Sequence, residues 1–146
     1  MAFRDLDPQV LVSDSPMEGP LMAEAAALGV TLAVNNRPDH EETGQWTSAD
    51  LEAAARAAGL DYVHIPIERE FDEEKVAALT EALLGTDGRV LIFCASGTRS
   101  TYLWALAQAR AGESPEALVR SARRAGYSLG PLMPWLKPRE SGPGRS

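Results

Sequence analysis

Cys94, Arg99 and Ser100 stand close together in the segment CASGTRS, and these residue types at this spacing could act on an anion. Four small residues separate the cysteine from the arginine: Ala95, Ser96, Gly97 and Thr98. The backbone amides from Ala95 to Arg99 could converge on one anion, because small residues leave them accessible and Gly97 can take conformations that other residues avoid. Arg99 adds a planar fork for two oxygens of that anion. The segment therefore predicts an anion-binding loop that begins with a cysteine.

Cys94 has two interpretations. The positive field of the loop favours the thiolate, which is the nucleophilic form of cysteine, and Ser100 could donate a hydrogen bond to that thiolate. Against this, free cysteines are among the most buried residues, and Cys94 ends the apolar run VLIF. Small residues, an arginine and a serine between a predicted strand and a predicted helix favour the catalytic interpretation.

A thiolate that attacks a phosphoester also needs an acid to protonate the leaving oxygen, unless that oxygen leaves easily. The stretch YVHIPI is followed by Glu68 and Glu70, and then by Asp72 where a helix is expected to begin. Asp72 fits a helix cap, so Glu70 is the predicted acid. Each of these carboxylates could instead be a solvated loop residue.

A second polar cluster, RPDHEE, covers residues 37–42 and follows another predicted strand. We expect Arg37, Asp39 and His40, together with Glu68, to form the rim of the same site. As alternatives, Asp39 could make a turn and Arg37 could pair with a carboxylate. No metal site is expected, since His64 has no second histidine or cysteine nearby, and no cofactor is expected either.

The elements that must position these residues alternate along the chain. Apolar runs predict strands, and caps, prolines and glycines delimit helices. The predicted strands are 6–13, 30–37, 62–67 and 89–93, and the predicted helices are 19–29, 47–60, 72–84, 100–112 and 114–126. This order predicts an α/β fold of three layers, with a mostly parallel central sheet and helices on both faces. Cys94 would lie at the carboxyl edge of the sheet, where ligands bind in such folds.

Composition limits the class of protein. The 146 residues predict a single domain over residues 1–138, followed by a disordered tail over 139–146. The net charge of −7 disfavours nucleic acid and anionic membranes as partners. One cysteine and a polar N-terminus predict a reducing, cytoplasmic location. The oligomeric state stays open.

The sequence also resembles a known family. LGVTLAVNNRPDHEE, YVHIPI, CASGTRS with LW after it, and VRSARRAGYSL are similar to segments of the phosphatase-like domain of beta-lactamase hydrolase-like proteins. These are bacterial relatives of the dual-specificity phosphatases in the cysteine phosphatase superfamily. The resemblance implies a cysteine-phosphatase-like fold, Cys94 as nucleophile and Arg99 as phosphate-binding arginine. It implies hydrolysis of phosphomonoesters, with phosphotyrosine among the candidates, in a small molecule or a phosphoprotein.

Two departures keep other functions open. Most cysteine phosphatases have a histidine before the nucleophile and five residues between cysteine and arginine, whereas here Phe93 precedes Cys94 and four residues intervene. A shorter loop offers fewer amides to phosphate and would suit a smaller sulfane sulfur, as in rhodanese-like sulfurtransferases that carry a persulfide. A third hypothesis is an inactive anion-binding module.

Overall fold

The fold is described from a computed structural model that covers residues 2–136. Its elements alternate much as the sequence predicts. In chain order they are β1 (Phe3–Asp5), β2 (Val10–Ser13), α1 (Pro20–Ala27), β3 (Val30–Asn35), α2 (Ser48–Ala57), β4 (Asp61–His64), α3 (Glu73–Leu84), β5 (Arg89–Phe93), α4 (Thr98–Arg110), α5 (Pro115–Arg124), a 3-10 turn (Gly130–Leu132) and α6 (Met133–Leu136).

The strands form one sheet in the order β1-β2-β5-β3-β4. β5 is central, with β2 and β3 parallel to it on either side, and β4 is parallel to β3. Only β1 is antiparallel, paired with β2 at one edge. The predicted α/β fold with a mostly parallel sheet is therefore confirmed, and Cys94 follows the central strand.

The predicted first strand, 6–13, is too long at its start. Asp7 and Pro8 instead lie in the turn between β1 and β2, where Oδ1 of Asp7 accepts hydrogen bonds from the amides of Gln9 at 2.8 Å and Val10 at 2.7 Å. Pro8 has no amide hydrogen to give to a ladder, so the turn is compatible with it where a central strand is not. The strand β1 was not predicted.

Residues of β5 alternate between two apolar layers. Val90 and Ile92 pack in the cluster that includes residues of α3, α4, α5 and α6. Leu91 and Phe93 pack in the other cluster, with residues of α1 and α2. Since successive side chains of a strand point to opposite faces, one buried strand supplies both cores. The three predicted layers are confirmed.

Three of the helices begin with a side-chain cap, and α4 does not. Side chains of Thr47, Asp72 and Ser114 cap α2, α3 and α5, and the cap at Asp72 is the one expected above. Helix α4 differs, because it begins at Thr98, two residues before the predicted start at 100, and its N-cap is Gly97 with no capping side chain. The first amides of α4 are therefore not used by a side-chain cap.

The part of the chain that the structure describes contains no helix with the length and hydropathy that crossing a bilayer requires. The predicted tail, 139–146, lies outside the described residues.

Candidate active site

Cys94 lies directly after β5, and its residue surface is only 1% exposed. Its sulfur is not surrounded by hydrocarbon alone, because the amide of Gly97 donates a hydrogen bond to Sγ at 3.2 Å. A backbone amide aimed at sulfur stabilises negative charge there. The structure thus places one amide of the predicted loop within hydrogen-bond distance of the sulfur.

Gly97 makes this loop possible. Its φ of 91° lies in the left-handed region, and a Cβ added there would stand 2.1 Å from Oη of Tyr127 and 2.7 Å from the carbonyl oxygen of Ser13. Only glycine combines that backbone conformation with so little space. The loop then enters α4, whose first three amides, those of Thr98, Arg99 and Ser100, have no partner within the helix. The start of a helix favours an anion, and Thr98 and Arg99 belong to the predicted loop, whereas Ser100 lies beyond its predicted amides.

Arg99 is held on two of its sides. Nη1 donates to Oε2 of Glu41 at 2.7 Å and to the carbonyl oxygen of Ile67 at 2.8 Å, while Nη2 donates to Oε1 of Glu41 at 3.0 Å. A planar guanidinium has five N–H donors, so the edge formed by Nε and the second hydrogen of Nη2 remains. No oxygen of residues 2–136 accepts from Nε of Arg99. That edge is the one with which arginine binds two oxygens of a phosphate side by side.

Charge in the site is concentrated around Glu41. Its carboxylate also accepts from Nε of Arg37 at 3.0 Å, so it bridges two arginines. Hydrogen bonds from Arg99, followed by that of Arg37, outweigh partial burial and lower the pKa of Glu41. The hydrogen bonds with Glu41 raise the pKa of Arg99, and the nearby Cys94 sulfur adds to that increase. Both side chains remain partly exposed, 28% for Glu41 and 22% for Arg99.

Asn36, directly after β3, connects the end of β5 and the segment after β4 to α4. It is fully buried; its amide donates to the carbonyl oxygen of Phe93 at 2.7 Å and its side-chain Nδ2 to that of Ile65 at 2.9 Å. Its Oδ1 accepts from the hydroxyl of Ser100 at 2.7 Å. The hydroxyl hydrogen of Ser100 is therefore directed to Asn36, and the structure does not show the expected donation to the Cys94 thiolate. Ser100 lies at the loop, but its observed role is to join α4 to β3.

The predicted rim is not formed in the expected way. Arg37 is buried, and it pairs with Glu41 and also, through Nη2 at 2.7 Å, with Glu42. Asp39 accepts from the amide of Ser48 at 2.7 Å, so it caps the start of α2. His40 is exposed in a turn with φ 66°. Both alternatives raised for this cluster agree with the structure, since Arg37 pairs with carboxylates and Asp39 lies in the same turn as His40.

Glu68 and Glu70 lie on the exposed loop between β4 and α3. The loop passes through Ile67, whose carbonyl oxygen contacts Arg99, so this part of the loop is at the site. Glu70 itself lines a different feature, a groove of about 1190 Å³. The groove also includes Arg69, Phe71, Tyr102, Arg110 and Trp135. The structure thus does not bring the Glu70 carboxylate and Cys94 to a common cavity.

A small cavity of about 10 Å³ is lined by Cys94 together with Trp46, Phe93 and Arg37, among other residues. That volume is roughly the minimum for one water molecule. A phosphate ion is larger, so this cavity does not hold one.

His64 forms a hydrogen bond within the fold, since its Nε2 is 2.9 Å from the carbonyl oxygen of Arg37. Among residues 2–136, no group of three or more histidine, cysteine or acidic side chains could hold a metal ion.

Three residues of the site were not assigned a role from the sequence. Glu41 and Asn36 lie in LAVNNRPDHEE, a segment that resembles the family, so the sequence did mark this region. It did not show which groups the side chains of Glu41 and Asn36 contact. Tyr127 donates from its hydroxyl to the carbonyl oxygen of Ser96 at 2.8 Å, across 31 residues. Nothing in the sequence pattern around Tyr127 indicated that contact.

Comparison with known proteins agrees with this geometry. A family model described as "Beta-lactamase hydrolase-like protein, phosphatase-like domain" matches residues 2–111. A beta-lactamase hydrolase-like protein of Xylella fastidiosa is 34% identical over 139 residues, which are 94% of this chain and 32% of that protein. The chain thus spans about a third of the length of this curated relative.

Solved structures have the same fold. A candidate phosphatase from Neisseria meningitidis is 28% identical with a TM-score of 0.81, covering 94% of this chain and 97% of that one. PTPMT1 in complex with PI(5)P is 15% identical with a TM-score of 0.72, covering 94% and 93%. TpbA of P. aeruginosa, solved as a cysteine-to-serine variant in complex with pTyr, is 17% identical with a TM-score of 0.60, covering 82% and 70%.

Proposed function

The chain belongs to the family of phosphatase-like domains of beta-lactamase hydrolase-like proteins, and we propose that it hydrolyses phosphomonoesters with a Cys94 thiolate as nucleophile. One observation carries the proposal. Glu41 and Ile67 bind Nη1 and one hydrogen of Nη2 of Arg99, so its Nε–Nη2 edge has no oxygen partner among residues 2–136, and the Cys94 sulfur is near enough to raise the pKa of this guanidinium. Two phosphate oxygens would occupy that edge, and the third would meet the amides at the start of α4.

The reaction would proceed in two displacements. The sulfur of Cys94 attacks phosphorus in line, forming an S–P bond as the bond from phosphorus to the ester oxygen breaks. Water then attacks the phosphocysteine, releasing inorganic phosphate and returning the electron pair to sulfur. The amide of Gly97, 3.2 Å from Sγ, would stabilise the thiolate both before the first step and as it leaves in the second.

The leaving oxygen decides which esters suit the site. A phenol has a pKa of about 10, so a phenolate departs with far less help from an acid than an alkoxide does. We therefore propose aryl phosphates, including phosphotyrosine, as the preferred class. TpbA, which shares the fold, was solved with pTyr. For donation of a proton we retain Glu70, because its loop includes Ile67, a contact of Arg99.

A sulfurtransferase remains the second candidate, for two reasons. The residues that share the small cavity with Cys94 include no carboxylic acid, and sulfur transfer from a persulfide needs no acid for a leaving alcohol. The four-residue spacing between Cys94 and Arg99 also suits a sulfane sulfur.

One preparation can separate the candidates. Hydrolysis of 4-nitrophenyl phosphate and transfer of sulfur from thiosulfate to cyanide are measured side by side, with Cys94→Ser as the blank. We expect phosphate release that disappears in the blank. Thiosulfate transfer without phosphate release would instead support the sulfurtransferase. A rise in melting temperature with inorganic phosphate but no turnover would indicate an anion-binding module, and activity equal to that of the blank would contradict both enzymes.

A further inference from the structure

Tyr127 contacts the anion-binding loop from outside and has no role in the chemistry described above. Its hydroxyl donates to the carbonyl oxygen of Ser96 at 2.8 Å. The same peptide unit continues into the amide of Gly97, which donates to Sγ of Cys94 at 3.2 Å. In a trans peptide the carbonyl and the amide point in opposite directions. One peptide plane is therefore fixed from both sides, by Tyr127 at the carbonyl and by the sulfur at the amide.

The loop itself does not impose this orientation. Gly97 has φ 91°, and glycine adopts positive and negative φ about equally well, so the Ser96–Gly97 peptide could turn over without a clash of its own side chain. After such a turn the carbonyl oxygen of Ser96 would face the sulfur in place of the amide. The negative end of that dipole would then oppose a thiolate. Something outside the loop has to favour the observed orientation.

Tyr127 is placed rigidly enough to do so. It follows helix α5, where Gly126 has φ 98°, the amide of Gly126 donates to Arg123 at 2.9 Å, and the amide of Tyr127 donates to Ala122 at 2.8 Å. These paired bonds form a Schellman motif, which fixes the chain just after a helix. A Cβ on Gly97 would lie 2.1 Å from Oη of Tyr127, so the phenol sits directly against the bare Cα of that glycine.

The phenol keeps its proton in this position. Burial, followed by the charges of Asp14 and Cys94, raises the pKa of Tyr127 to about 12, while Arg4 opposes the shift. Arg4 pairs with Asp14 at 2.8 Å and donates to the carbonyl oxygen of Ala125 at 3.3 Å, so both charges are tied to the end of α5. The hydroxyl is therefore a donor to Ser96 over the whole range in which a cysteine enzyme works.

We propose that Tyr127 is a positioning residue that holds the Ser96–Gly97 peptide with its amide toward Cys94 and thereby favours the thiolate. The inference rests on the proposed function only in treating that thiolate as the nucleophile. It concerns a residue beyond the 2–111 segment that the family model matches.

The test uses the fact that Cys94 is the only cysteine in the chain, so alkylation by iodoacetamide reports on it alone. Alkylation rates are measured against pH for the wild type, Tyr127→Phe and the matched control Tyr102→Phe, which also loses one hydroxyl and whose ring packs on Phe71. Melting temperatures and 4-nitrophenyl phosphate hydrolysis are measured on the same samples. Both variants keep the ring, so both are expected to fold.

We expect the midpoint of the alkylation curve of Tyr127→Phe to move to higher pH by about half to one pH unit, which corresponds to the free energy of one neutral hydrogen bond. We also expect its kcat/KM to fall about three- to tenfold. Tyr102→Phe should leave both unchanged. An unchanged midpoint in folded Tyr127→Phe, or an equal shift in both variants, would overturn the inference. A shift confined to Tyr127→Phe, with no hydrolysis by any protein, would support the role of Tyr127 and reject the phosphatase.

Discussion

Glu41 binds both terminal nitrogens of Arg99, at 2.7 Å and 3.0 Å, although the two residues are 58 positions apart. The carboxylate binds the Nη1–Nη2 edge of the guanidinium and so holds the Nε–Nη2 edge in one orientation. Without this pair, the flexible side chain of Arg99 would lose conformational entropy when it binds an anion. The pair thus orients Arg99 before any substrate is present.

Replacing Glu41 with glutamine should therefore lower kcat/KM for 4-nitrophenyl phosphate by roughly ten- to a hundredfold, because hydrogen bonds to a charged group are lost and the new NH₂ faces a guanidinium. Glu42→Gln is the matched control, since Glu42 pairs with Arg37 alone, at 2.7 Å, and is largely exposed. Steady-state kinetics on both variants checks this expectation. Equal losses in the two would show that Arg99 does not depend on Glu41.

The same carboxylate predicts a dependence of stability on pH. The folded state lowers the pKa of Glu41, chiefly through Arg99, so its contribution to stability is present above the unfolded value of about 4.3 and is lost as pH falls through the folded value. Partial exposure screens the pair and limits the size of the effect. In urea unfolding from pH 6 to pH 3, the Glu41→Gln variant should lose less free energy of unfolding than the wild type. Parallel curves would contradict this assignment.

Gly97→Ala should abolish phosphate hydrolysis, because its Cβ would stand 2.1 Å from the hydroxyl of Tyr127 and 2.7 Å from a backbone oxygen. Gly112→Ala controls for backbone strain alone, since Gly112 has φ 106° and a Cβ there meets nothing within 4 Å. The control should lose about 1 kcal/mol of stability and keep its activity. Kinetics and thermal melting of both variants decide the point, and an active Gly97→Ala would mean that the loop tolerates a side chain.

Ser100→Ala should act on stability. Removing its hydroxyl leaves Oδ1 of the fully buried Asn36 without this donor, which costs about 1–3 kcal/mol. Ser121→Ala, which removes a bond at 3.2 Å to exposed Arg124, should cost much less. Urea unfolding measures both. Should Ser100→Ala instead keep its stability and release the alcohol in a burst before slow phosphate release, Ser100 would be a donor to the leaving thiolate after all.

Glu70→Gln tests the proposed proton donor through the leaving group. If Glu70 protonates the leaving oxygen, hydrolysis of phenyl phosphate should fall by about a hundredfold, while 4-nitrophenyl phosphate, with its better leaving group, should change little. Glu74→Gln is the control, because Glu74 is an exposed acid in the first turn of α3. A similar change for both esters would remove Glu70 from the mechanism.

The sequence was sufficient for the features that depend on neighbouring residues. The run RVLIF predicts a strand buried on both faces, and β5 is the central strand. Thr47, Asp72 and Ser114 cap helices because their side chains reach amides three residues along the chain. The position of Cys94 then follows from the strand that precedes it.

Features that depend on distant partners could not be predicted. Strand β1 has three residues with only Phe3 buried, so no periodic pattern marks it. The pairing of Arg99 with Glu41 depends on the path of the polar loop, and the hydroxyl of Ser100 had several acceptors available in principle. The contact of Tyr127 with Ser96 depends on the angle at which α5 leaves α4.

The core cluster beside the site also continues beyond residue 111, where the family model ends. Leu118 and Ala122 of α5 and Leu136 of α6 share it with Leu103 and Trp104 of α4. A protein truncated at 111 would expose that apolar face to water and would remove the phenol from the Ser96 carbonyl. We therefore expect a fragment that ends at residue 111 to be less stable and less soluble than the protein that includes α5 and α6.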